Sequence, residues 1–86
     1  MADATDGRLH EFLAKNSQCR QNLIRILRQY QENIVDPTFA ILMMQQKIAE
    51  TAKSQGFQFS LADRVQQQDL LKEALNSSNP EAFFTE

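Results

Sequence analysis

The stretch Ala52-Lys53-Ser54-Gln55-Gly56-Phe57-Gln58-Phe59-Ser60-Leu61-Ala62-Asp63 decides how this chain folds, because it contains a helix end and a helix start a few residues apart. Gly56 has no side-chain carbon to clash in the left-handed conformation, so it can close the preceding helix. Ser60 can accept from the free amides of the next turn, and Asp63 places a negative charge at the positive helix end. We therefore expect one helix to end at Gly56 and another to begin at Leu61.

Two aromatic residues connect these helices. Phe57 and Phe59 lie two positions apart, so in an extended segment their side chains point the same way. We expect both rings to press against one apolar surface. Residues 56–60 are called the strap below.

Upstream of the strap, the apolar pattern predicts two helices that precede the helix ending at Gly56. Residues 1–5 are expected to be frayed, and a short helix is predicted from Thr5 or Asp6 to the interruption at Asn16-Ser17. Ser17 is then predicted to cap a second helix. The apolar residues of the first helix are Leu9, Phe12 and Leu13, and those of the second recur at helical spacing as Cys19, Leu23, Ile26, Leu27, Tyr30 and Ile34.

The third helix has a clear start and an unusual first half. Asp36-Pro37 supplies a capping side chain followed by proline at the first helical position, which predicts a helix from Pro37 to about Gln55. Residues 39–44 are six consecutive apolar residues, so they cover all sides of two turns. The preferred interpretation is a central helix flanked on several sides, and the alternative is a helix covered by a partner chain.

A fourth helix and a short terminal turn complete the predicted bundle. The fourth helix should run from about Leu61 to Leu75, and a loop over residues 76–79 leads to Asn79-Pro80, a second cap-then-proline pair. The predicted buried residues of the fourth helix are Leu61, Val65, Leu71, Ala74 and Leu75.

These elements predict an all-α fold, a single domain over residues 1–86 with four main helices and a C-terminal helical turn. A chain of 86 residues with no strand pattern has room for one thin core. The net charge of −2 gives no global attraction to nucleic acid or to anionic membranes. No apolar run reaches the roughly 18 residues of a membrane span, and residues 1–6 are acidic, unlike a secretory signal. We expect a cytoplasmic protein.

The residue types needed for common catalytic and metal sites are scarce. His10 is the only histidine and Cys19 the only cysteine, and no third residue is in view to orient them as a catalytic pair. Cys19 falls on the apolar stripe of the second helix and is interpreted as a small core residue. The chain has no glycine-rich phosphate loop and no dense carboxylate cluster. We expect no enzyme, catalytic residue, metal, cofactor or small-molecule substrate.

Two segments resemble a known family. They are Leu9-His10-Glu11-Phe12-Leu13 through Cys19-Arg20-Gln21-Asn22-Leu23, and Ala52-Lys53 through Gly56-Phe57-Gln58-Phe59-Ser60 to Asp63. They are similar to the opening helices and to the Gly-Phe-x-Phe strap of the small nitrogen-fixation-associated Nif-eleven domain, which also serves as the leader part of some modified-peptide precursors. The resemblance implies a helical recognition module linked to nitrogen-fixing or cyanobacterial physiology.

The chain departs from the leader pattern at two points. The stretch 24–51 is several helical turns longer than the family's link between the two segments, and Gly7 and Gly56 are too far apart to form a paired-glycine cleavage site. A leader-type recognition domain is therefore kept as an alternative function, and a small, non-catalytic, regulatory protein–protein interaction module is the predicted one.

Candidate interface residues follow from the apolar excess. Phe39, Leu42 and Met43 cannot all face the same core as the rest of the third helix, so they are predicted to contact another protein or a second copy in a homodimer. Phe83 and Phe84 are predicted either to fold back on the bundle, which is preferred, or to anchor a partner.

Three arginines are the remaining candidates. Arg20, Arg25 and Arg28 make the N-terminal third locally positive and are predicted to form a polar rim of the interface. The alternative is a nucleic-acid-associated regulator that uses this face. Glu32, four residues beyond Arg28, can neutralise it, and stacking aromatics are absent from that face, so a solvated surface is preferred over a nucleic-acid partner.

Overall fold

A computed structural model describes residues 7–85 of the 86-residue chain, and all regular secondary structure in this part is helical. The helices are α1 (Leu9–Lys15), α2 (Ser17–Gln31), α3 (Pro37–Ser54), α4 (Leu61–Leu75) and α5 (Pro80–Thr85). This confirms the predicted all-α bundle of four main helices with a short C-terminal helical turn. The expected fraying of residues 1–5 and the helix start at Thr5 or Asp6 lie outside the described residues.

The second helix, and not the third, is at the centre of the bundle. α2 packs against α1, α3, α4 and α5, whereas the main neighbours of α3 are α2 and α4. The preferred interpretation of the third helix as central is therefore wrong. The core of the bundle is formed by residues from all five helices and the strap, the largest fully buried ones being Leu9, Leu13, Leu23, Leu27, Met44, Ile48 and Leu71.

The ends of α3 and the start of α4 follow the sequence signals. The amide of Phe39 donates to Asp36 Oδ1 at 2.7 Å, which confirms the predicted cap. At the other end Gly56 has φ +83° and its amide donates to Lys53, while the amide of Phe57 donates to Ala52. This pair of bonds is a Schellman closure, and it needs the left-handed residue that Gly56 provides.

The predicted start of α4 is confirmed as well. The amide of Asp63 donates to Ser60 Oγ at 3.1 Å. The side chain of Asp63 accepts from Arg8 Nη2 at 3.1 Å, so the negative charge of the first turn also fixes the segment before α1.

The start and end of α2 differ from the prediction. The residue before the helix is Asn16, and Ser17 is already its first residue. At the C-terminal end Asn33 has φ +62°, and the amide of Ile34 donates back to Gln29. Asparagine tolerates this left-handed conformation, so it ends the helix at Gln31. Ile34 therefore lies beyond α2, and 63% of its surface is exposed.

The C-terminal turn folds back on the bundle, as the preferred interpretation expected. α5 packs against α1 and α2. Phe84 is 2% exposed and belongs to the core, and Phe83 packs partly against it. The amide of Ala82 donates to Asn79 Oδ1 at 3.3 Å, so the second cap-then-proline pair begins this helix as predicted.

Candidate protein-binding groove

An open groove of about 920 Å³ lies between α3 and α4 and ends at the strap. It is called the α3–α4 groove below. Its wall on α3 runs from Leu42 to Lys53, and its wall on α4 runs from Leu61 to Gln68. At about 1.5 Å per residue the α3 wall is about 16 Å long, which is three helical turns.

Exposed apolar side chains line both walls of this groove. On α4, Leu61 is 70% exposed and Val65 is 52% exposed, and on α3 Leu42 is 57% exposed. Phe57 of the strap, 39% exposed, lies at the end of the groove. Isolated exposed apolar residues are ordinary, but four of them around one concave surface are typical of a binding site.

The exposure of Leu61 and Val65 contradicts the predicted core of α4. The side of this helix that is buried carries Gln67, Leu70, Leu71 and Ala74, at the i, i+3, i+4, i+7 spacing of one helical stripe. At about 100° per residue, Leu61 and Val65 lie about 120° and 160° away from Gln67 around the helix. They therefore cannot face the same core.

A polar residue is part of the buried side of α4. Gln67 is 4% exposed, and its Nε2 donates to the carbonyl oxygen of Gly7 at 3.1 Å. This bond satisfies an amide that would be costly to bury alone. Residues 66–68 are three consecutive glutamines, and no local signal in the sequence marks Gln67 as the buried one.

The strap closes one end of the groove and links it to α1. The ring centroids of Phe57 and Phe59 are 5.7 Å and 5.1 Å from that of Phe12, and 5.2 Å from each other, all in edge-to-face geometry. Both strap rings thus pack against Phe12, as expected, although of the two only Phe59 is buried. Such aromatic contacts hold the strap in a fixed position beside the groove.

The predicted interface residues of α3 are divided by the structure. Phe39 is 52% exposed, and it lies one turn before Leu42, so the two share one side of the helix. Met43 packs partly against the core. Of the predicted apolar interface residues of α3, only Leu42 lines the groove, and Phe39 extends its exposed apolar surface by one turn.

Phe83 and Phe84, the predicted C-terminal interface residues, both pack within the bundle. Phe84 is in the core and Phe83 covers part of it, with the two rings 5.2 Å apart in edge-to-face geometry. His10 Nε2 lies 3.2 Å from the carbonyl oxygen of Phe83, which ties α1 to α5. These residues belong to the packing of α5 and are not brought together with the groove.

The three arginines have different surroundings. Arg28 forms an ion pair with Glu81 of α5, in place of the expected pairing with Glu32. Arg20 donates to the carbonyl oxygen of Leu13 at 3.4 Å and so helps to cap the end of α1. Arg25 is exposed. None of the three lines the α3–α4 groove.

Cys19 is a core residue, as interpreted from the sequence. Its Sγ lies 3.8 Å from the carbonyl oxygen of Lys47. Burial raises the pKa of its thiol above the ordinary value of 9.0, and a hydrogen bond with Thr51 and the nearby charge of Lys47 oppose this shift. The thiolate that nucleophilic chemistry needs is therefore scarce at neutral pH.

Within residues 7–85 there is no group of three or more histidine, cysteine or acidic residues placed to hold a metal ion. Each helix of the described chain is too short or too polar to cross a bilayer.

No match was found when the chain was compared with models of protein families, with curated proteins and with solved structures.

Proposed function

We propose that this protein is a small, non-catalytic interaction module that binds another protein through the α3–α4 groove. The observation that carries the proposal is the exposure of Leu42, Leu61 and Val65 around one concave surface. Burying such side chains is the main favourable contribution to protein association. Phe39 extends this surface along α3, and the proposed function keeps it and Leu42 as interface residues.

The proposal includes a regulatory role in the cytoplasm, without catalysis. A regulatory role is in keeping with the resemblance to the Nif-eleven family, and a single cysteine leaves the chain independent of internal disulfides. The nucleic-acid alternative has less support, because Arg20 and Arg28 already bind groups within the protein.

The decisive variant is Leu61→Gln combined with Val65→Gln. Both side chains are mostly exposed, so we expect the free energy of unfolding to change by less than about 0.5 kcal/mol per site. Their loss removes apolar area from one wall of the groove, so a partner captured by the wild-type protein in affinity purification should be lost.

The matched control is Ile34→Gln, which removes an equally exposed apolar side chain outside the groove. It should retain the partner at the wild-type level. A set of captured proteins that is the same for the wild type, the control and the double variant would refute the groove as the binding surface.

A further inference from the structure

The charge of the α3–α4 groove has one sign. Among the described residues that line it, Lys53 and Arg64 are cationic and none is acidic, although the chain as a whole has a net charge of −2. The nearby carboxylate of Glu50 accepts a hydrogen bond from Gln46 at 3.2 Å and pairs with Lys47 Nζ at 3.9 Å. The groove therefore presents positive charge beside its apolar walls, and an occupant with negative flanks is favoured.

The shape of the groove fits a helix. Its α3 wall is about three turns long, and its floor lies between two helices, which is where a third helix packs with apolar residues at i, i+3, i+4 and i+7. The remaining polar lining is rich in amides, namely Gln45, Gln46, Gln58, Gln67 and Gln68. Glutamine side chains can both donate to and accept from the polar flank of such a helix.

Two other occupants fit less well. An acyl chain with a carboxylate head needs a site that encloses most of its surface, and here Leu61 and Val65 stand largely in solvent. A second copy docked by two-fold symmetry places the same patch on both sides of the interface, so Lys53 and Arg64 of one copy would face a lining that, among the described residues, has cations and no acidic residue. Such an interface lacks charge complementarity.

We propose that the α3–α4 groove binds an amphipathic helix of about three turns from another protein, with acidic side chains on both flanks of its apolar face. This rests on the proposed function and adds the chemistry of the partner. The apolar face of the ligand packs on Leu42, Leu61 and Val65, and its carboxylates lie next to Lys53 and Arg64.

Selection from a displayed peptide library tests this chemistry. The library consists of 16-residue helical peptides with leucine fixed at one face and with the flanking positions randomised among Glu, Lys, Gln and Ser. It is selected on the wild-type protein and counter-selected on the Leu61→Gln/Val65→Gln variant. We expect Glu to be enriched and Lys to be depleted at the flanks.

The contribution of each cation to binding is then measured with the most enriched peptide. Lys53→Gln and Arg64→Gln should each weaken binding about threefold at low salt, the effect of a solvent-exposed ion pair, and added salt should reduce this difference. The matched control is Lys72→Gln, a cation of α4 outside the groove, which should leave the affinity unchanged.

Four outcomes overturn the proposal. Groove-dependent peptides without acidic enrichment would refute the partner's chemistry and leave the proposed function intact. If every peptide that binds the wild type also binds the double variant, so that none survives the counter-selection, the groove and the proposed function are refuted together. Binding of cis-parinaric acid in preference to peptide would identify an acyl-chain site. Sedimentation as a dimer that the double variant abolishes would identify a second copy as the occupant.

Discussion

Gly7 lies in close contact with the backbone of α4. Its φ is +58°, and a Cβ atom built on it would lie 2.3 Å from the carbonyl oxygen of Asp63 and 3.0 Å from Cγ of Gln67. Only glycine can occupy this place without moving the backbone. The same residue accepts the hydrogen bond of Gln67, which lies on the side of α4 opposite to Leu61 and Val65.

Gly7→Ala should therefore destabilise the protein. The left-handed conformation and the collision with the backbone of Asp63 together predict a loss of about 2 to 4 kcal/mol in the free energy of unfolding. Urea denaturation followed by circular dichroism measures this loss.

Gly56→Ala is the matched control, because Gly56 also has positive φ but no atom lies within 4 Å of the added Cβ. It should cost only the conformational strain, about 1 to 2 kcal/mol. Equal losses for the two variants would contradict the close approach of Gly7 to α4.

For single residues, the sequence predicts helix caps and helix ends well, but it predicts contacts between distant residues poorly. The roles of Asp36, Ser60 and Gly56 depend on neighbours within four residues, and each is confirmed. The contact between Gly7 and Gln67 joins residues 60 positions apart, and nothing within a few positions of either residue indicates it.

At the scale of the elements, α5 is a short helix that closes the bundle. Six residues are too few for a stable isolated helix, so its formation depends on packing against α1 and α2. Its contacts include the buried ring of Phe84 and the ion pair between Arg28 and Glu81.

These two contacts should differ in strength. Phe84→Ala removes a fully buried ring and should cost about 3 kcal/mol, whereas Arg28→Gln breaks a pair whose side chains are more than half exposed and should cost less than about 1 kcal/mol. Thermal and urea unfolding of both variants provide the comparison. A larger loss for Arg28→Gln would mean that charge, and not apolar packing, holds α5 in place.

The orientation of an element is harder to predict than its bounds. The bounds of α4 are confirmed at Leu61 and Leu75, but its buried side is not, because Leu61 and Val65 on one side compete with Leu70, Leu71 and Ala74 on the other. The apolar pattern alone cannot decide which side faces the core. The buried side depends on tertiary contacts, among them the bond from Gln67 to the carbonyl oxygen of Gly7, 60 positions away.

For the molecule as a whole, folding leaves an apolar concave surface open between α3 and α4. The expectation of an apolar excess on the third helix led to Phe39 and Leu42, and both are exposed. The other wall of the groove was missed, because the α4 residues that form it were assigned to the core. The α3 wall could thus be predicted from the run of apolar residues in the sequence. The α4 wall could be recognised only from the packing of α4.

Methyl NMR of the intact protein tests whether this surface is the binding site, with Leu, Ile and Val methyl groups labelled and the most enriched library peptide added. We predict shifts of the Leu42, Leu61 and Val65 methyl signals that saturate together, while the Ile34 signal, equally exposed but outside the groove, stays in place. Unchanged groove signals, or a shift of Ile34 as large as that of Val65, would contradict binding at this surface.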